Sequence, residues 1–406
     1  MIERDVLILG GGPAGLAAAA ELARLGAGKV TVLEREATPG GIPRHCGHLG
    51  FGLEEFHRLL TGPAYAQTVA AAAASRAEIL LRTTVLRLEP GGTVQTVGPN
   101  GPETYRGRAV LLALGARETP RSARLISGTR PFGVMNTGTL QQYVYLRGKK
   151  PFERPVIVGT ELVSFSCLMT LRHLGLRAAA MIETGRRITA RRPADWVARL
   201  LFGTPVLFNT RLNRILGGDR VDGVEIDRGN GPERLDCDGV ILTGGFRPEN
   251  ALLAGGPVAV DRGTGGPSID QYWRCADPTY FAAGNLLRGI ETAGQCHREG
   301  RAVARAIVAA LAGRLPASDS IPVHAEGALK YVYPQRIAPG EALDPKLLFL
   351  ARAASSATGT LTVKADGRIA WSKPIRALPE RRIAWPVAVS ALQGAGKITV
   401  SLEGIA

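Results

Sequence analysis

Asp5-Val6-Leu7-Ile8-Leu9-Gly10-Gly11-Gly12-Pro13-Ala14-Gly15 decides the fold of this chain. A short apolar run, Val6 to Leu9, feeds a G-x-G-x-x-G turn made by Gly10, Gly12 and Gly15, and an Ala-rich helical segment, Leu16 to Leu25, follows. Each glycine has its own mechanical reason. Gly10 permits the tight turn, Gly12 lets backbone approach a pyrophosphate, and Gly15 allows close helix–strand packing. The helix start, with Pro13 and Ala14 in its first turn, would direct N–H groups and a partial positive charge at that diphosphate. A second strand, Lys29 to Leu33, ends in Glu34, where a carboxylate can accept from a ribose hydroxyl, with Arg35 next to it. Strand, glycines, helix, strand and acid in this order predict a dinucleotide-binding βαβ unit.

The pattern recurs. Pro155 to Val158 runs into Gly159, a helix is expected over Leu162 to Leu174, a strand over Ala178 to Ile182, and an acid stands at Glu183. Gly159 to Glu183 is the same spacing as Gly10 to Glu34, so the chain holds an internal repeat at domain scale. The copy departs from the original where phosphate chemistry is decided: Glu161 replaces the second glycine and Ser164 the third. A glutamate there blocks backbone approach and sets a negative charge against a diphosphate, so NAD(P) binding is not expected at the second unit. A third landmark is Thr279 to Asn285, a strand ending in Gly284-Asn285. The loop Gly289 to Gly294 and a helix to about Leu311 follow it.

Bulk properties narrow the class. The 406 residues suffice for two or three domains. The formal charge of +15 is mostly scattered arginine, with short clusters at Arg186-Arg187 with Arg191-Arg192 and at Arg376 with Arg381-Arg382. These lack the basic stripe and interleaved aromatics of a nucleic-acid surface, so a solvated face is expected and nucleic acid is not. Cys46, Cys167, Cys237, Cys275 and Cys296 form no C-x-x-C pair, which argues against a disulfide framework, a redox pair, a metal site or a cluster held here. No run is long enough for a transmembrane segment and no leader precedes the first strand. A cytoplasmic location is expected, at most peripheral to the inner membrane through partners.

The first turn, the strand Ala109 to Leu114 closing in Gly115, the second βαβ unit and Ala-Ala-Gly-Asn at 282–285 together resemble the two-dinucleotide-domain flavoproteins, the pyridine nucleotide-disulfide oxidoreductase superfamily. The resemblance covers residues 1 to about 315. It implies an α/β, glutathione-reductase-like fold with two Rossmann-like domains, the second inserted in the first. The boundaries would be 1–120 and 251–315 for an FAD-binding domain and 121–250 for the inserted one. The tail, 316–406, reads as a small β-rich domain: Thr360 to Val363 alternates, Asp366-Gly367 is a hairpin turn, Ile369 and Trp371 continue it, and Pro386 marks an edge.

Gly40 to His48, Leu60 to Ala66 and Val158 to Phe165 look like one branch of that superfamily. They resemble the FAD-bearing subunits of hydrogen cyanide synthase, opine oxidase, and hydroxyproline and proline dehydrogenases, as well as the flavoprotein companion of glycerol-3-phosphate dehydrogenase. The Leu329-to-Arg336 lead into a β tail is more like the last of these. By that resemblance FAD would be held by Gly10, Gly12, Pro13, Ala14, Gly15, Glu34, Arg35, Gly41, Ile42, Arg44, His45, Cys46, His48, Val85, Ala113, Gly115, Gly284, Asn285, Thr292 and Ala293. Asn285 stands where Asp is usual and can still bond a ribityl hydroxyl. Thr292 and Ala293 would favour negative charge on the reduced flavin, while Glu291 orients a neighbour or faces solvent. Cys46, in contact with the ring, and His48, relaying a proton, are the candidate catalytic residues; the alternative is a loop that only packs around the cofactor.

The resemblance implies an FAD-dependent oxidoreductase. It would be the electron-transferring flavoprotein subunit of a multi-subunit bacterial dehydrogenase acting on an amino acid, opine or glycerol-3-phosphate-like substrate. Its partners would be a small iron-sulfur protein and an amino-acid-oxidase-like flavoprotein subunit. Two rivals remain open: a stand-alone NAD(P)H-dependent flavin reductase, and a non-catalytic nucleotide-binding assembly subunit.

Overall fold

A computed structural model describes residues 1–191, 193–317, 320–340, 346–379 and 381–404, so Arg192 of the first arginine cluster lies outside the described residues. In chain order, β1 (Ile2–Leu9), α1 (Pro13–Arg24) and β2 (Val30–Leu33) form the first crossover, and the long β3 (Gly101–Leu112) follows. Then come α2 (Thr137–Gln141), β4 (Val156–Val158), α3 (Leu162–His173), β5 (Ala180–Ile182), β6 (Val240–Leu242), β7 (Tyr280–Ala282) and α4 (Ala293–Leu311). The chain forms two compact units: residues 1–41, 67–116 and 248–406, and residues 42–66 with 117–247.

In the first unit β1 lies between β2 and β3, parallel to both, and β7 joins β3 on the far side. Val6, Leu7, Ile8 and Leu9 are all fully buried, because a parallel sheet covered on both faces needs a continuous apolar run rather than alternation. Three sheet residues, Leu7, Leu9 and Val110, share one core with Leu286, Leu287 and Tyr333. The tail belongs to this unit. A five-stranded sheet centred on Ile398–Gly404 and a three-stranded one centred on Lys346–Ala353 share a core that includes Phe349, Leu361, Val363 and Trp385. The Asp366-Gly367 turn lies between the paired strands Ala357–Ala365 and Arg368–Ala377, both residues at positive φ. Pro386 sits on the outer strand Ile383–Ala388, an edge position of the kind that tolerates proline.

In the second unit β4, β5 and β6 form a parallel sheet, extended by Val134–Asn136 beside β6 and Val206–Leu207 beside β5. Residues 42–66 cluster here, not with the first unit. One physical reason is close packing: a Cβ on Gly47 would meet the Tyr145 ring at 2.1 Å, and Cys46 Sγ lies 3.3 Å from Gln141 Oε1. A short helix, Leu53–Phe56, stops where His57 enters the left-handed region. Among the described residues no helix is long and apolar enough to cross a membrane.

Candidate functional site

The first glycine turn sits at the carboxyl ends of β1 and β3, where open α/β sheets take ligands. Gly10 has φ +107°, and a Cβ on it would lie 2.5 Å from the Ala113 carbonyl oxygen. A Cβ on Gly15 would lie 2.0 Å from the Gly10 oxygen. Neither position admits a side chain. Gly12 is different: its backbone is extended and a Cβ there would meet nothing within 4 Å. Two glycines therefore fold the turn, and the third leaves open space before the start of α1. Pro13 occupies the first helical position, where no N–H is needed.

Neighbouring segments close around that space. Gly40 N donates to the Gly11 oxygen at 2.7 Å, and Gly41, at φ +62°, brings its Cβ position to 2.9 Å from Gly12 Cα. Glu34 is buried at the end of β2. Its Oε2 accepts from Gly11 N at 2.7 Å and its Oε1 from Glu36 N at 2.8 Å. A carboxylate has about four lone-pair sites, so capacity remains for a hydroxyl. Gly115, at φ +75°, faces open space. Gly284, at φ +75°, presses against α1, with a Cβ position 2.9 Å from Ala14 Cβ. Gly10, Gly12, Ala14, Gly15, Glu34, Gly41, Ala113 and Gly284 are thus gathered at one end of one sheet. Arg35 follows Glu34 directly, and Val85 stands two residues beyond Thr83, whose N–H donates to the Glu34 oxygen at 2.9 Å. Arg35 is exposed beside Glu36, and Val85 packs against the core.

The loop after Gly284 is braced internally. Asn285 Oδ1 accepts from Glu291 N at 2.7 Å and its Nδ2 donates to the Glu291 oxygen at 3.2 Å. Thr292 caps α4, its hydroxyl accepting from Gln295 N at 3.1 Å, and Ala293 is the first helical residue. Glu291 pairs with Arg382 at 2.9 Å and with Arg288 at 3.5 Å. Arg382, read as solvated from the sequence, is therefore in part an ion-pair partner.

Ile42, Arg44, His45, Cys46 and His48 belong to the second unit. Burial pushes the Cys46 thiol up to about 12, with the Glu118 carboxylate adding to the effect, so at neutral pH it is a thiol and not the thiolate a charge-transfer contact uses. His45 is buried with no hydrogen-bond partner on either ring nitrogen among the described residues, and desolvation, aided by the Arg44 charge, takes it down to about 4. His48 is half-buried; its Nδ1 lies 2.9 Å from the Leu49 oxygen, which it reaches as a donor. Among the described residues no cluster of three His, Cys, Asp or Glu is placed to hold a metal ion.

The second glycine turn is filled by its own side chains. Glu161 Oε2 lies 3.1 Å from Ser164 Oγ and 2.9 Å from Thr243 Oγ1. Cβ atoms on Gly159 and Gly244 would meet the same carboxylate at 2.5 and 2.4 Å. Arg124 covers the adjoining backbone, donating to the Thr243 and Gly244 oxygens at 2.8 and 2.7 Å. Glu183 accepts from Gly185 N at 2.8 Å, from Thr189 Oγ1 at 3.0 Å and from Thr160 Oγ1.

Sequence reading missed Gly11, Arg288 and Glu299. The last had a signal. Cys296, Gly300, Val303 and Ile307 mark the buried stripe of α4, and Glu299 falls on it. A charge on an apolar stripe calls for buried partners.

Comparison with known proteins agrees with this geometry. The family described as pyridine nucleotide-disulphide oxidoreductase matches residues 4–300. The alpha subunit of sarcosine oxidase from Rhizobium meliloti is 28% identical over 376 residues, 83% of this chain and 33% of its own. An opine oxidase subunit of the same organism is 33% identical over 186 residues, 44% of this chain and 38% of its own. The chain thus spans about a third of the length of these relatives. In fold it is similar to T. acidophilum thioredoxin reductase (TM-score 0.65, 22% identity, 76% of this chain and 99% of that one). It is also similar to the A. fulgidus NAD-dependent persulfide reductase (TM-score 0.60, 18% identity, 95% of this chain and 72% of that one).

Proposed function

The chain belongs to the pyridine nucleotide-disulphide oxidoreductase family, and on that premise we propose that it is an FAD-dependent oxidoreductase serving as the electron-transferring subunit of a larger dehydrogenase. The observation that carries this reading is the open space at Gly12 between two glycines that admit no side chain. FAD fits these residues. Gly10 to Gly15 and the start of α1 would hold its diphosphate, Glu34 a ribose hydroxyl, and the Gly284-to-Ala293 segment the ribityl and ring portion. When bound, the cofactor supplies reversible two-electron chemistry. The chain's own part is to orient it, exclude water and place N–H groups at the start of α4 where negative charge develops.

Two features support a role within a larger assembly. The relatives above are themselves named as subunits, and the helix Ala194–Phe202 leaves Trp196 and Leu200 68% and 73% exposed although its opposite face is also apolar. A helix apolar on both sides and covered on one is suited to a protein neighbour, and Arg186, Arg187 and Arg199 near it in sequence would favour an acidic rim. The substrate proposed for the whole assembly is an amino acid, an opine or a glycerol-3-phosphate-like compound. The filled second turn argues against a stand-alone NAD(P)H-dependent reductase.

Reconstitution tests the reading. The purified chain is incubated with FAD, desalted and scanned; one flavin per chain is expected. No flavin absorbance after that treatment would reject the proposal, including its electron-transfer role.

A further inference from the structure

Glu299 lies inside α4, 5% exposed, and four donors from three segments converge on it. Gly284 N donates to Oε2 at 2.8 Å. Arg288 Nη1, Tyr333 OH and Trp273 Nε1 donate to Oε1 at 3.1, 3.1 and 3.3 Å. The Arg288 guanidinium, itself 1% exposed, lies over the Tyr333 ring at 4.5 Å. Trp273 holds φ +60°, a region bulky residues avoid, and in that conformation its indole N–H reaches the carboxylate. The next residue along α4 fixes where this carboxylate can be. A Cβ on Gly300 would meet the Ala14 oxygen at 2.1 Å, so the helix is locked on the first turn of α1. One helix therefore registers the first glycine turn and the Gly284 segment, through Gly300 against Ala14 and Glu299 on Gly284.

We infer that Glu299 is a positioning residue for the cofactor, holding the Gly284–Ala293 segment in register with the first glycine turn and tying it through Tyr333 to the C-terminal β region. This rests on the FAD reading above. Four donors face the carboxylate, so an amide in its place turns one acceptor into a donor aimed at another donor. Glu299→Gln should then free either Gly284 or the Arg288–Tyr333–Trp273 side. The N–H groups at the start of α4 favour the negative charge of reduced flavin more than the neutral oxidised form, so loosening them should weaken binding of the reduced form most.

The test measures FAD affinity by fluorescence and the midpoint potential by dye equilibration on the full chain. Glu299→Gln is expected to weaken FAD binding by about tenfold, the order of one lost charge-assisted bond. It should also lower the two-electron midpoint by about 30 mV, which is tenfold between the two redox forms. Tyr333→Phe keeps the ring and three donors, and should shift both quantities in the same direction by less. It decides the matter if the first variant does not fold. Wild-type affinity and potential in the variants, with only the unfolding midpoint lowered, would overturn the inference and leave Glu299 a packing element. A wild-type chain that takes up no FAD would instead overturn the premise.

Discussion

The two glycine turns of this chain share one spacing and differ in what fills them. In the first, Gly12 leaves space before a helix start, and Glu34 reaches back to the backbone N–H of Gly11. In the second, Glu161 puts a carboxylate where that space was, and Ser164 and Thr243 satisfy it. The ribose acid is retained as Glu183, yet its partner is the hydroxyl of Thr160 where the first unit offers the N–H of Gly11. The difference teaches that a strand–turn–helix unit can satisfy its own turn with internal side chains. Strand, turn and helix keep packing because their cores do not depend on the phosphate.

The sharpest way to break the comparison is to write the second turn into the first. Gly12→Glu should abolish flavin retention after reconstitution. It should leave the unfolding midpoint of the cofactor-free chain unchanged, since the new Cβ meets nothing. Retained flavin would mean that the space at Gly12 is not where the diphosphate lies.

Next in size is Gly15→Ala against Ser164→Ala. The first forces a methyl against the Gly10 oxygen and should cost about 2–3 kcal/mol, read by denaturant unfolding together with loss of flavin. The second removes one hydroxyl from an internal cluster and should cost about 1 kcal/mol. Equal costs would show that the two turns are held in the same way.

Glu161→Gly should remove the acceptor shared by Ser164 and Thr243, lowering unfolding stability by about 1–2 kcal/mol while opening the second turn. A gain in weak NADH binding, followed by calorimetry, would sharpen the comparison. A gain in stability would contradict the account of Glu161 as an internal partner.

Acid provides the smallest contrast. In α1, Glu21 accepts from Arg24 and pairs with Arg301 and Arg305 of α4, and the Arg24 bond holds its carboxyl down at about 2 despite the opposing effect of burial. The corresponding residue of α3, Thr170, carries no charge; it bonds Ser166 of its own helix and the Tyr145 side chain. A depressed folded pKa contributes stability above the unfolded value and loses it as pH falls through the folded one. The first unit should therefore lose about 1 kcal/mol between roughly pH 4.5 and 2, because the three arginines are half exposed and screened. Hydrogen exchange at the α1–α4 contact should loosen over that window in the wild type, and Glu21→Gln should flatten the dependence.

Much of this was legible before any coordinates. Gly10, Gly12, Gly15 and Glu34 carry local rules of turn geometry and spacing, and the same rules single out Glu161 and Ser164 as departures from them. The Asp366-Gly367 hairpin was legible for a similar reason, its turn type being set by two adjacent residues. What sequence could not show is long-range satisfaction. Thr243 reaches Glu161 from 82 residues away, and Tyr333 reaches Glu299 from 34. Asn285, expected to face the ribityl chain, bonds the Glu291 backbone at both ends of its amide because the intervening loop folds back on it. The single-turn helix Leu53–Phe56 stops at His57, whose left-handed backbone no glycine or proline announces.

The central claim is that the first turn takes an adenine dinucleotide and the second does not. Anaerobic titration of the FAD-loaded chain with NADH and then NADPH, followed at the flavin absorbance maximum, tests it most directly. The account predicts that the flavin stays oxidised under both. Rapid bleaching at stoichiometric reduced nicotinamide would contradict it.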